Sequence, residues 1–117
     1  MDLVPRTVVE LAEFVAFAER HLSDGERMAI ITHLAFNPFA GNLLRGTGGL
    51  RKLRWAAKSK GKRGGVRVIH FFGGSDLPVF LVTGFAKSEL ENIGKAARNE
   101  YRKLLPLVVR AYRERQR

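Results

Sequence analysis

The sequence predicts an α+β domain, and three patterns predict it. A short β-branched run opens the chain, two helical periodicities follow, and three alternating segments then succeed one another through short links before a last helical stretch. The order β-α-α-β-β-β-α keeps a helical hairpin and an antiparallel three-stranded meander in separate parts of the chain, the mark of an α+β layout. At 117 residues, with no repeat and no linker-like stretch, residues 1–117 are expected to form a single domain.

Thr7-Val8-Val9-Glu10-Leu11 reads as the N-terminal strand because it is short and β-branched. Phe14, Phe17, Ala18 and His21/Leu22 then recur at helical spacing, with Glu13, Glu19 and Arg20 outside. Ser23 stands three residues before Glu26, a capping box in which each side chain accepts a backbone N–H at a helix start. The second helix carries Met28, Ile31 and Leu34/Ala35 on one face, and Asn37-Pro38 ends it, since Pro disfavours helix in the residue before it.

Residues 42–49 read as loop, with Gly46-Thr47-Gly48-Gly49 free to bring backbone close to a neighbour. From Leu50 to Ala56 the pattern alternates: Leu50, Lys52 and Arg54 on one face, Arg51, Leu53 and Trp55 on the other. Val66 to Phe72 sets Val68, His70 and Phe72 against Arg67, Ile69 and Phe71. Gly73-Gly74-Ser75-Asp76 turns the chain into a third meander strand, Val79 to Phe85. Ser88 to Glu91 repeats the capping signature and predicts a short helix ended by Gly94. The C-terminal helix follows from Lys95. Pro106 is expected to kink or break it, at a cost of ~3 kcal/mol, and Arg113 to Arg117 to fray.

Charge is the functional signal. Between Arg27 and Ser75 there is no acidic residue but ten basic ones, while the remaining residues hold eleven Lys/Arg against eleven Asp/Glu; the whole net charge of +10 sits in one segment. Such self-repulsion points to a polyanionic partner, with nucleic acid first. Zero Cys excludes disulfides and thiolate metal sites. With no signal peptide and no apolar run near ~18 residues, a cytoplasmic location without membrane contact is expected.

Within the segment, Lys52 and Arg54 leave one strand face about 7 Å apart. Arg67 on the next strand and Lys87 at the end of the third complete a candidate phosphate cradle, in which Arg offers a planar fork and Lys a point charge. Arg45, Arg51 and the loop cations Lys58, Lys60, Lys62 and Arg63 are candidate RNA contacts. A solvated basic sheet face and hairpin tip are the plain alternative. Trp55 reads as core or interface, and His21, His33 and His70 as surface or satisfied core residues. No His/Asp/Glu cluster has metal-ligand spacing, and neither a phosphate loop nor a nucleophile elbow is present, so no cofactor is expected.

Gly46-Thr47-Gly48-Gly49-Leu50-Arg51-Lys52-Leu53-Arg54-Trp55, Lys60-Gly61-Lys62-Arg63-Gly64-Gly65-Val66-Arg67-Val68-Ile69 and Ala86-Lys87-Ser88-Glu89 together resemble the HigB-like branch of the RelE toxin superfamily over nearly the whole chain. The resemblance implies a RelE-like, microbial-RNase-like fold. It also implies cleavage of messenger RNA in the ribosomal A site, by metal-free attack of a ribose 2′-oxygen on the adjacent phosphate. By motif position Lys52, Arg54, Arg67 and Lys87 match the family's catalytic basic residues. The implied partners are the ribosome, its message and a cognate antitoxin of helix-turn-helix type, through which alone DNA would be met. The sequence departs where some relatives carry a C-terminal Tyr or a His as acid or base: Tyr101 and Tyr112 do not match that position, and Ser88 stands where some relatives have Arg. A non-catalytic RNA-binding protein or a gyrase-poisoning ParE-type toxin is the alternative.

Overall fold

The computed structural model describes residues 4–57, 64–90 and 92–116. Their elements run β1 (Val8–Glu10), α1 (Ala12–His21), α2 (Asp24–Phe36), β2 (Asn42–Leu43), β3 (Leu50–Trp55), β4 (Val66–Phe71), β5 (Val79–Ala86) and α3 (Lys95–Arg115). One sheet has the order β1-β5-β4-β3-β2. The meander β3-β4-β5 is antiparallel, and β1 lies parallel to β5 at the far edge. The α+β fold expected from the sequence is the fold observed.

The sheet separates two cores. Phe14, Phe17, Ile30 and Leu34 of α1 and α2 pack on Val66, Val68, Val79 and Leu81. On the opposite face Leu50, Ile69, Phe71, Phe80, Val82 and Phe85 meet Leu44, Ile93 and Leu105 under α3. All six residues of β4 are buried, because it lies between both layers. Burial of this kind makes Arg67 and His70 interior groups. His70 is fully buried, and its Nε2 lies 2.8 Å from the Ala40 carbonyl, to which it donates as the neutral ring. Desolvation holds its pKa down at about 4.

The Ser23–Glu26 capping box forms as expected: Glu26 N–H donates to Ser23 Oγ (3.1 Å) and Ser23 N–H to Glu26 Oε1 (2.9 Å). The same signature at Ser88 makes no helix among the described residues, and its Glu91 lies outside them. The N–H groups of Glu89 and Leu90 both donate to the Ala86 carbonyl, and the chain must then carry Ile93 into the core; Gly94 starts α3 instead of ending a helix. Residues 42–49 are not wholly loop, since Asn42–Leu43 pairs with Lys52 and Arg51. Helix α3 runs through Pro106 without a break and continues to Arg115. Leu105 before the proline, and Val108, Val109 and Tyr112 after it, all rest on the same core, so packing outweighs one lost hydrogen bond. Its end does not fray at Arg113, whose Nε donates to Asp76 Oδ2 at 2.8 Å.

Strand β5 carries one extra residue. Ile69 faces Thr83 but His70 faces Leu81, so Val82 is unpaired and the alternation reverses beyond it. The reversal turns Phe85 toward α3 and Gly84 toward Phe17. A Cβ at Gly84 would stand 2.5 Å from Phe17 Cε2. Gly84→Ala is therefore expected to cost about 2 kcal/mol through overpacking, seen as a Tm lower by several degrees.

The depressed pKa of His70 gives a second expectation. Between its unfolded value of 6.5 and its folded value of about 4, the unfolded chain binds the proton and the native state does not. Stability is complete above pH 6.5 and falls by about 3 kcal/mol as the pH drops to 4. Denaturant unfolding across that window checks the slope, and His70→Gln, whose amide can also donate to Ala40, should remove this component.

Candidate functional site

The α3-side face of the sheet follows from strand parity. Leu50 is fully buried in the core under α3, so Lys52 and Arg54 leave the strand on that same side. On β4, Ile69 and Phe71 lie in this core, and Arg67 shares their parity. The register sets Arg54 directly opposite Arg67, and Lys52 opposite Ile69. Three cations from two neighbouring strands thus meet on one face.

Arg67 is 7 % exposed, and its Nη1 donates to the carbonyls of Gly64 (3.1 Å) and Val66 (3.2 Å). No carboxylate among the described residues pairs with Lys52, Arg54 or Arg67. Backbone oxygens hold the buried guanidinium in place without cancelling its charge. The Lys52 ammonium is held below its usual pKa, first by burial and then by the fields of Arg54, Arg67, Arg98 and Lys87. Lys87 follows the last residue of β5, with its N–H donating to the Gly65 carbonyl. A cleft of about 410 Å³ opens beside the site, lined by Arg54, Trp55, Ala57, Gly64, Gly65 and Arg67. Gly65 has φ +71°, and a Cβ there would meet the Trp55 carbonyl at 2.3 Å, so only glycine closes this end of the hairpin.

Arg98 is the member of the set that sequence reasoning missed. It lies in the first turn of α3, where its Nη1 donates to the Arg45 carbonyl (3.3 Å) and its Nε to the Ile93 carbonyl (3.3 Å). Only tertiary packing brings it to Lys52, and the Gly46–Gly49 loop provides that packing. Buried Thr47 donates through Oγ1 to the Leu44 carbonyl (2.6 Å) and accepts from Leu50 N–H (3.0 Å), fixing the loop. Gly48, at φ +80°, then lies close against Arg102 and Leu105 of α3.

The remaining candidates divide. Arg45 is exposed on the loop beside Arg98. Arg51 points to the other face of the sheet, with its guanidinium over the Phe39 ring. Lys58, Lys60, Lys62 and Arg63 lie outside the described residues. Trp55 is half-buried against the hairpin core and close to the His33 ring (5.4 Å between centroids). His21 is buried, with Nε2 3.8 Å from Glu89. Tyr101 donates to Glu13 Oε2 at 2.8 Å, and burial followed by that carboxylate pushes its pKa up to about 12, while Tyr112 packs edge-on to Phe80. A second cleft, of about 540 Å³, lies away from these cations between Gly48, Phe71 and α3.

A sheet backed by a helical hairpin, with Lys52, Arg54, Arg67 and Arg98 gathered beside its C-terminal helix, defines a small basic α+β domain. The family model described as the RelE toxin of the RelE / RelB toxin–antitoxin system matches residues 7–115, and the chain belongs to that family. It is a RelE-type toxin, and membership implies a cognate antitoxin. The fold is also similar to that of a mutant Escherichia coli toxin RelE in the free state, with a TM-score of 0.52 at 16 % identity over 74 % of this chain and 88 % of that one. Among the described residues no helix is long and apolar enough to cross a membrane.

The geometry makes Lys52 chemically distinct from the surface lysines. In an NMR titration its Nζ should titrate below the ordinary lysine value of 10.5, and Arg54→Ala should move that titration upward by removing the nearest like charge.

Proposed function

We propose that the chain is a HigB-like messenger-RNA endonuclease that acts in the ribosomal A site and is neutralised by its antitoxin. The single observation that carries this reading is the convergence of Lys52, Arg54 and Arg67 on one sheet face with no carboxylate of the described residues paired to them. A phosphate is the missing counter-charge.

The chemistry follows from protonation states. Arginine stays charged, so Arg54 and Arg67 are electrostatic stabilisers and not bases. Lys52, with its ammonium destabilised by burial and four cationic neighbours, reaches the neutral amine more readily than an exposed lysine. Neutral Lys52 takes the proton from a ribose 2′-hydroxyl as that oxygen attacks the adjacent phosphorus. The bond to the 5′-oxygen breaks, leaving a cyclic phosphate and a 5′-hydroxyl whose proton comes from a neighbouring ammonium or water. Extra negative charge grows on the phosphorane in the transition state, where Arg67, Arg54 and Lys87 bind it more strongly than the ground-state phosphate. In-line attack needs an RNA backbone held in a fixed alignment, and the ribosome provides that alignment. The antitoxin, of helix-turn-helix type, covers the basic face and supplies any contact with DNA. The gyrase-poisoning alternative gives no reason for this cation set.

Arg67→Ala should slow cleavage of ribosome-bound message by about 10²–10³-fold, the loss typical of one preorganised transition-state donor. Mapping message 5′ ends after induction, together with single-turnover cleavage on stalled ribosomes, measures this. Wild-type cleavage by Arg67→Ala or by Lys52→Ala would remove the role given to that residue, and no cleavage by the wild-type protein would remove the nuclease reading. Thermal unfolding of Arg67→Lys and Arg67→Ala separates a catalytic loss from a folding one.

A further inference from the structure

The face of the sheet opposite the cation cluster carries an unexplained row of side chains. Arg6 Cζ lies 5.4 Å from the Phe72 ring centroid, Phe72 meets Phe39 edge-on at 5.2 Å, and Arg51 Cζ lies over Phe39 at 5.3 Å. The row crosses from the segment before β1, past the end of β4, to β3. Its parity separates it from the proposed cleavage site: Arg51, Leu53 and Trp55 face the hairpin side, whereas Lys52 and Arg54 face α3.

Three features of the row point to a ligand. Phe39 is 60 % exposed although two neighbours already touch it, an unusual position for an aromatic ring. Arg51 Nη1 donates to the carbonyls of Phe39 (3.2 Å) and Gly41 (3.4 Å), so the guanidinium and the ring are held in a fixed relation while its Nε and Nη2 make no bond among the described residues. Beside Phe39 a hollow of about 350 Å³ is lined by His33, Asn37, Pro38 and Ala40. Most of the row and the whole hollow fall within the acid-free stretch between Arg27 and Ser75. Arg6 also donates to the Ser75 carbonyl (3.4 Å) and shares a hollow with Asp76 at one end of the row, whereas Arg51 lies within the acid-free stretch of sequence. Aromatic rings interleaved with arginines are what unpaired nucleotides bind, by stacking bases on the rings and setting phosphates on the cations.

We propose that this row is a second RNA-binding surface, on which an unpaired base stacks against Phe39 while Arg6 and Arg51 hold the flanking phosphates. The inference rests on the reading of the chain as an RNA-acting toxin and extends it: the protein is gripped between two RNA segments, one cleaved on the α3 side and one only held on the hairpin side. Charge on both faces of a thin sheet suits a protein that works inside an RNA-walled space.

The test uses a short 2′-O-methyl oligoribonucleotide, which lacks the attacking hydroxyl, and follows its binding by fluorescence anisotropy across a salt series. Phe39→Ala should weaken binding roughly ten-fold, and Phe39→Trp should keep it. Arg6→Ala should reduce the salt slope by about 0.7, one phosphate's worth for a single strand. Both positions are exposed, so thermal unfolding should match the wild type. Unchanged affinity and slope in the Phe39→Ala/Arg6→Ala protein would overturn the proposal. So would loss of antitoxin binding by that variant with RNA binding intact, which would make the row a protein surface. Arg67→Ala is the internal reference: if it weakens RNA binding while the double variant is silent, this proposal alone fails, and if neither variant affects RNA the nuclease reading fails too.

Discussion

Arg54 and Arg67 stand directly opposite one another on adjacent strands, and no carboxylate among the described residues pairs with either. Like charges in that position destabilise a sheet, and burying one of them adds a desolvation cost. The rest of the architecture makes this pair tolerable. Strand β4 is buried along its whole length between two cores, so strand pairing rests on Val66, Val68, Ile69 and Phe71 and not on the charged step. Two backbone carbonyls give Arg67 hydrogen bonds without neutralising it, where a carboxylate would have satisfied the guanidinium and closed the site. The described residues thus leave two adjacent cations with no opposite charge paired to them, an imbalance that an anion would relieve.

Much of this was legible in the sequence, for reasons specific to each element. The alternation in Leu50–Trp55 could be read because Lys52 and Arg54 share one parity while the apolar Leu53 and Trp55 share the other. The two-sided burial of β4 erases that contrast, and the unpaired Val82 in β5 reverses parity midway, which no pattern count reveals. The capping signature at Ser23 worked because nothing else claimed the local N–H groups. At Ser88 the carbonyl of Ala86 and the burial of Ile93 claimed the chain first. Arg98 was invisible because its place beside Lys52 depends on a carbonyl of the distant Arg45 loop.

The Gly46–Gly49 motif shows how a sequence signature can matter for a reason other than ligand contact. Its glycines let the loop lie flat against α3, and Thr47 locks it. The loop therefore sets the height of the helix above the sheet, and through Arg45 it sets the position of Arg98. Pro106 fits the same picture. With Leu105 on one side and Val108, Val109 and Tyr112 on the other all resting on one core, the helix is held by the sheet rather than by its own hydrogen-bond ladder.

Strand parity then determines which cations act together. Consecutive residues Arg51 and Lys52 go to opposite faces, one to the aromatic row and the other to the cation cluster. A one-residue slip of β3 would exchange them, placing Arg51, Leu53 and Trp55 under α3 and exposing Leu50. What forbids the slip is apolar: Leu50 against Phe71 at one end, and Leu53 against Val68 in the hairpin core. The charge pattern alone does not select a register, since basic residues occupy both parities. The hydrophobic anchors choose it, and by choosing it they decide that Lys52, Arg54 and Arg67 meet on one face of the sheet instead of scattering across two surfaces.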